Sequence, residues 1–200
     1  MKKVVPKNAV LIPEEAKKVF EGQIFDVYQW PQTMFDGSSY TFEMLKRPDT
    51  VIVISLVGDD ILVLKEQQPH SGLSLSFPGG RVDKTDEDVV SAARREILEE
   101  TGYEFSNWRL VKVVQPHKKI EWFIYYYLAW DADKQTEPKL DAGEKIVVQK
   151  LAFEEVKKQV LNKAGYLAEA HGIFENLETI DQLLNLPEFE GREVDDKKVK

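Results

Sequence analysis

Two hundred residues with 35 acidic and 27 basic side chains, a formal charge of -8, make a domain-sized chain whose net charge does not favour nucleic acid or an anionic membrane. Hydrophobic residues at 42% with only 11 Gly and 9 Pro exclude collagen-like, low-complexity and wholly disordered chains, and the lack of cysteine excludes zinc ribbons, disulfide scaffolds and thiol nucleophiles. An anionic substrate would need a local counter-charge, and any metal here would be held by carboxylates or the three histidines.

The amino terminus has early lysines, but Pro6, Lys7, Asn8 and Pro13 break its apolar letters. The longest apolar stretch, Trp122 to Trp130, is nine residues, where a membrane helix needs about 20. A cytoplasmic protein with no membrane or nucleic-acid partner is the expectation. Residues 23–30 and 38–46 are rich in aromatic and β-branched letters and flank Phe35-Asp36-Gly37, which predicts a hairpin. Val51 to Val57 is a near-continuous β-branched run, followed by the Gly58-Asp59-Asp60 turn and a second strand, Ile61 to Leu64. At Phe77-Pro78-Gly79-Gly80, proline and two glycines forbid regular structure and let the backbone approach a ligand closely.

Val89, Ala93 and Ile97, spaced by four, predict a helix over 87–101 that stops at Gly102, with Thr85 or Asp86 as its cap. Residues 109–114, 122–130 and 146–151 read as strands. In Trp122 to Tyr127 the aromatics are expected to alternate between core and cleft, with core packing favoured. Helices are expected over 153–163 and 173–185, the second with Ile173, Leu177, Ile180 and Leu184 on one stripe, and residues 191–200 form a loose charged tail. Strands in uneven alternation with few helices indicate a mixed sheet between helices rather than a doubly wound fold.

The chemistry concentrates in the helix ending at Gly102. Glu96, Glu99 and Glu100 are spaced by three and four, so their carboxylates project from roughly one face. Taken alone, the helix is equally a solvated acidic face. Beside a Pro-Gly-Gly turn with free backbone carbonyls, the same carboxylates make a hard-cation site suited to Mg²⁺ or Mn²⁺, ions that usually act on phosphate substrates.

The stretch Gly80 to Tyr103, GRVDKTDEDVVSAARREILEETGY, resembles the Nudix box of the Nudix hydrolases. Glu87 is followed by seven residues and then by Arg95-Glu96-Ile97-Leu98-Glu99-Glu100-Thr101-Gly102-Tyr103, with Tyr103 at the closing apolar position. The loop departs from the pattern, with six residues rather than five between Gly80 and Glu87. The wider resemblance, over roughly residues 20 to 185, is to the ADP-ribose and ADP-sugar pyrophosphatases. There, too, Ser76 stands where that branch often has Glu, and Gln68-Pro69 where Arg often follows an aromatic.

The resemblance implies an α/β fold, a Nudix α/β/α sandwich on a mixed sheet with an amino-terminal β-hairpin extension. It divides the chain into an extension over 1–47 that joins a homodimer, a Nudix domain over 48–186 and a flexible tail over 187–200. Glu96, Glu99 and Glu100 with the Gly79 carbonyl would hold Mg²⁺ or Mn²⁺ on a diphosphate. Arg95 would orient Glu99 or Glu87, and Arg81 would orient or touch substrate. Glu144 is the first choice for a general base from a loop over the cleft and Glu121 the second, while each alone also reads as an exposed loop carboxylate. His117 is a candidate substrate contact that reads more readily as a solvated loop histidine. Tyr28, Trp30, Tyr40 and Phe42 are candidates for stacking on the base of a small nucleoside diphosphate derivative, although plain sheet packing explains the same letters. The activity implied is hydrolysis of ADP-ribose to AMP and ribose 5-phosphate. The alternatives are another nucleotide sugar such as GDP-mannose, a dinucleotide, an oxidised nucleoside triphosphate, or a non-catalytic nucleotide sensor. An isomerase of this fold would lack its usual thiol.

Overall fold

A β-branched run interrupted only at Ser55 and Leu56 calls for burial on both faces, and residues 51–57 find it at the middle of a sheet. The computed structural model describes residues 1–67, 69, 72–140, 142–143 and 145–195. Strand β5 (Thr50–Val57) there joins β6 (Asp60–Gln67), β9 (Tyr103–Val114), β11 (Ile124–Gln135) and β12 (Lys145–Ala152) in the order β12-β6-β5-β11-β9. β5 and β11 are parallel, paired from Thr50 with Ile124 to Ser55 with Ala129. The other neighbours along this order are antiparallel, so the sheet is mixed, as expected.

The sheet also splits. β5 pairs with β6 only beside their turn, Leu56 with Ile61 and Val57 with Asp60. Past that point β6 keeps β7 (Ser74–Ser76) and β5 takes β8 (Gly79–Arg81). Residues 77 and 78 cross the gap between the halves, and the Pro78 carbonyl accepts from Val53 N–H at 2.7 Å. The glycine turn is thereby laid against the centre of the sheet.

Both faces are packed. On one, Val51, Val53, Tyr125 and Tyr127 meet Val89, Ala92, Ala93 and Ile97 of α1 (Val89–Thr101). On the other, Ile54, Tyr126 and Leu128 pack against α2 (Phe153–Leu161), the 3₁₀ turn Gly165–Ala170, α3 (His171–Phe174) and α4 (Ile180–Leu184). The aromatics of β11 therefore alternate between two cores rather than between core and cleft.

The amino-terminal hairpin forms from β3 (Asp26–Thr33) and β4 (Ser39–Lys46), and β2 (Lys17–Glu21) and β10 (Ile120–Glu121) extend it into a four-stranded sheet ordered β10-β4-β3-β2. Its turn depends on Gly37, at φ 83°, while Asp36 accepts from the Ser38 amide and hydroxyl. Tyr28, Trp30 and Met44 pack with Ile12 and Ala16 beneath it.

Three expectations change. The helix over 173–185 is two short helices, because Thr179 breaks the stripe by capping α4 through Gln182 N–H, and Leu183 rather than Leu184 is the buried residue. Asp88, not Thr85 or Asp86, caps α1, accepting from Ser91 N–H at 2.8 Å. The tail is not wholly loose: β13 (Arg192–Asp195) pairs antiparallel with β1 (Lys2–Val5), Lys3 opposite Val194. Among the described residues no helix is long and apolar enough to cross a membrane.

Candidate metal centre

The small side chains of Ala92 and Ala93 bring α1 close to the sheet, and Gly102, at φ 74°, ends it with its amide on the Leu98 carbonyl. The last turn then stands over the glycine turn. Gly79 N–H donates to Glu100 Oε2 at 2.8 Å, and Glu100 is only 7% exposed. Gly80 lies against Glu96, where a Cβ would come within 2.5 Å of the carboxylate. The side chain of Glu96 is 15% exposed and that of Glu99 45%.

Arg95 ties these groups together. Its guanidinium grips Asp86 through Nε (3.1 Å) and Nη2 (3.0 Å), and Nη1 donates to Glu96 Oε1 at 2.8 Å and Glu99 Oε2 at 3.3 Å. Nη2 also reaches the Arg81 carbonyl at 2.9 Å. Burial pushes the Glu96 carboxyl above its ordinary value, with Arg95 opposing and Glu99 and Asp83 adding to the push. The Arg95 hydrogen bonds hold Asp86 below the ordinary value, and Asp86 holds Arg95 above its own.

A depressed folded-state pKa makes Asp86 stabilising above its unfolded value, a contribution lost as pH falls through the folded one. Asp86→Asn is therefore expected to lower stability by about 1.5–3 kcal/mol at neutral pH, the scale of hydrogen bonds to charged groups. The gap between variant and parent should close in acid. Thermal melts at pH 7 and below pH 3 check this, and a gap that persists in acid counts against the ion-pair origin.

The donor set fits a hard divalent cation. It is all oxygen, it carries more negative charge than Arg95 offsets, and two glycines leave backbone beside it free of side chains. Among the described residues no three acidic or histidine groups stand as a ready ligand set. Contacts within the site account for this, since Arg95 bonds Glu96 and Glu99 while the Gly79 amide bonds Glu100.

The remaining candidates scatter. Glu144 and Gln68 lie outside the described residues. Glu121 is 4% exposed and accepts from Lys46 Nζ and from Ile12 N–H, both at 2.7 Å, so it ties the amino-terminal segment to the sheet and is poorly placed to move a proton. Arg81 is exposed, its Nε on Asp83 at 2.8 Å. Tyr28 is buried beneath the hairpin and offers no free face. Trp30 and Phe42, 5.1 Å apart, border a cavity of about 590 Å³ shared with Pro13, Met44 and Lys119. Tyr40 and the loop residue His117 are exposed. Ser76 is buried, its hydroxyl without a hydrogen-bond partner among the described residues.

Two residues escaped the sequence reading. Asp86 looks like a helix cap from its position, and only the folded turn shows it gripping Arg95. Arg47 lies over the rings of Trp122 (4.5 Å) and Phe25 (5.6 Å), and burial, with the Arg81 charge adding to it, pushes its guanidinium below the ordinary value. A lone arginine before proline carries no signal of that in one dimension.

The NUDIX domain family matches residues 46–170, more than half of the chain. The chain belongs to this family. As a Nudix hydrolase it is a pyrophosphohydrolase, an enzyme class that generally needs a divalent metal ion. A solved structure described as "Crystal structure of ADP compounds hydrolase" shares the Nudix fold at TM-score 0.60 and 19% identity, covering 80% of this chain and 85% of that one. A second, a MutT from work on the psychrofile fish pathogen Aliivibrio salmonicida and the mesophile Vibrio cholerae, gives TM-score 0.47 and 18% identity over 65% of this chain and 94% of that one. No curated protein matches the chain.

Proposed function

We propose that this Nudix hydrolase cleaves the diphosphate of a nucleoside diphosphate joined to a second moiety, with ADP-ribose as substrate and AMP and ribose 5-phosphate as products. The observation that carries the chemistry is the convergence of Glu96 and Glu100 on the Gly79-Gly80 backbone. The choice of an ADP derivative draws on the sequence resemblance and on the name of the solved ADP compounds hydrolase that shares the fold.

Glu96, Glu99, Glu100 and the Gly79 carbonyl would hold Mg²⁺ or Mn²⁺. A bound ion would neutralise the diphosphate and lower the pKa of a water. Arg95 keeps Glu96 and Glu99 turned to one side and is itself held by Asp86. Glu144 takes the proton of the attacking water as the new P–O bond forms and the anhydride P–O bond breaks. Phe42 supplies the exposed aromatic face for the base, with the buried Trp30 packed behind it at 5.1 Å. The hairpin sheet exposes Val19, Phe20, Ile24 and Tyr40, which supports a homodimer in which it reaches the partner's site. A single-chain mass in solution would sink that part.

A panel of ADP-ribose, GDP-mannose, a dinucleotide and an oxidised nucleoside triphosphate, with Mg²⁺ or Mn²⁺ and products separated by chromatography, tests the reading. ADP-ribose is expected to give the highest kcat/KM, and Glu144→Gln to reduce it by about 10²–10⁴, the range for a general base. Preference for another member of the panel reassigns the substrate. Stabilisation by these ligands without turnover makes the protein a sensor.

A further inference from the structure

The first strand of the chain carries a charge into the interior. Lys3, on β1, is 6% exposed, and its Nζ donates to Asp49 Oδ2 at 2.6 Å, with Asp49 8% exposed. The ammonium also lies 5.0 Å from the centroid of the Phe123 ring. A buried ion pair gains little net stability against its own desolvation, so the geometry it fixes is the better explanation of its place.

Asp49 fixes two segments. Its Oδ1 accepts from Phe123 N–H at 2.9 Å, at the entry to β11, and its carbonyl accepts from Val82 N–H at 2.9 Å, just after β8. Val82 sits between Arg81, whose carbonyl receives Arg95 Nη2, and Asp83, whose amide donates to Asp86 at 2.7 Å. Asp86 holds Arg95, and Arg95 holds Glu96 and Glu99. A continuous run of short contacts and adjacent residues thus joins β1 to the carboxylate cluster.

We infer that Lys3 and Asp49 are positioning residues for the metal centre: their buried ion pair sets the turn after β8 from behind, so that Arg95 presents Glu96 and Glu99 in one orientation. Pairing of Lys3 with Val194 on β13 secures the strand that bears the lysine, which makes β13 part of the device. A cavity of about 330 Å³ bordered by Lys3, Ile12, Lys46, Glu121 and Arg192 adjoins the pair. It leaves β1 room to shift when the pair is lost. The inference rests on the metal-centre reading above.

The test is Mn²⁺ binding by the full chain, followed through the paramagnetic resonance signal of free Mn²⁺. Alongside it are measured the Mn²⁺ concentration for half-maximal hydrolysis of the best-cleaved diphosphate, and the thermal midpoint. Lys3→Met is expected to weaken Mn²⁺ binding about tenfold, the lower end of what loss of a group behind a metal ligand does. The half-maximal Mn²⁺ concentration should rise by the same factor, with substrate KM at saturating Mn²⁺ unchanged, and Lys3→Arg should recover most of both. If Lys3→Met does not fold, the double variant Lys3→Met/Asp49→Asn removes both charges of the pair together and is expected to show the same weakening. A lower thermal midpoint with parental Mn²⁺ affinity, in whichever of these folds, overturns the inference and leaves the pair purely structural. Failure of the parent chain to bind Mn²⁺ overturns the metal centre itself, and the parent measurement alone tells the two failures apart.

Discussion

Glu100→Gln is expected to lower kcat by about three orders of magnitude or more while the fold survives. The amide keeps an oxygen to accept the Gly79 N–H, now made at 2.8 Å, and it fills the same buried volume, so the contact of α1 with the glycine turn persists. The charge is what disappears. A metal ion that stabilises developing charge on phosphoryl oxygens contributes several kcal/mol, and about 4 kcal/mol is roughly a thousandfold in rate. Stability without metal should hold or rise, because a buried carboxylate is replaced by a neutral group near Glu96, whose own carboxyl burial already pushes toward protonation. The parent should gain thermal stability on adding Mn²⁺, as any ligand that binds only the folded state confers, and the variant should gain little. Melts with and without Mn²⁺, beside steady-state rates on the best diphosphate, check both halves. Activity within tenfold of the parent would remove Glu100 from the metal set.

Much of this site is legible in the sequence because helical spacing is a local property. Glu96, Glu99 and Glu100 share a face whatever the rest of the chain does, and Gly102 ends the helix through its own φ. The Pro-Gly-Gly turn was equally visible, since those residues admit no regular structure. What sequence cannot carry is how far apart two segments finish. Thr85 and Asp86 are the caps that position suggests, and only packing decides that Asp88 takes Ser91 and leaves Asp86 to Arg95. Glu121 lies in a polar loop on paper, yet it is buried because the segment around Ile12 folds over it, a contact of 109 residues' separation. The charged carboxyl terminus fails for the same reason: Arg192–Asp195 becomes a strand only because Lys2–Val5 lies alongside. The stripe through Ile173 and Ile180 follows helical period across a break, since the periodicity of apolar letters does not register Thr179 starting a new helix.

The two glycines of the turn are expected to fail in different ways when each is replaced by alanine. At Gly79 the new Cβ would run into the Val51 carbonyl oxygen and stand 3.0 Å from the Ile52 α-carbon, both backbone of the central strand β5. That strand is buried on both faces and pairs with β8 at this point, so neither side can yield. Gly79→Ala should therefore cost stability, on the order of 1–3 kcal/mol as overpacking does, or roughly 2–12 °C in Tm for a chain of this size. At Gly80 the three atoms nearest the Cβ all belong to the Glu96 carboxylate, at 2.5 to 2.6 Å. A side-chain end can swing away, so Gly80→Ala should melt within about 2 °C of the parent. The displaced carboxylate is then lost to the metal set and to Arg95. Hydrolysis should fall by about 10²-fold, the effect of an ångström-scale misplacement in a catalytic array, with weaker Mn²⁺ binding in parallel. Circular dichroism melts, Mn²⁺ titration and rates on the same preparations separate the two cases. Parental activity and Mn²⁺ affinity in Gly80→Ala would mean that Glu96 does not serve the metal from the position it holds against the glycine turn. Equal loss of stability in both variants would mean that Glu96 cannot move, and that the turn and the carboxylate form one rigid unit.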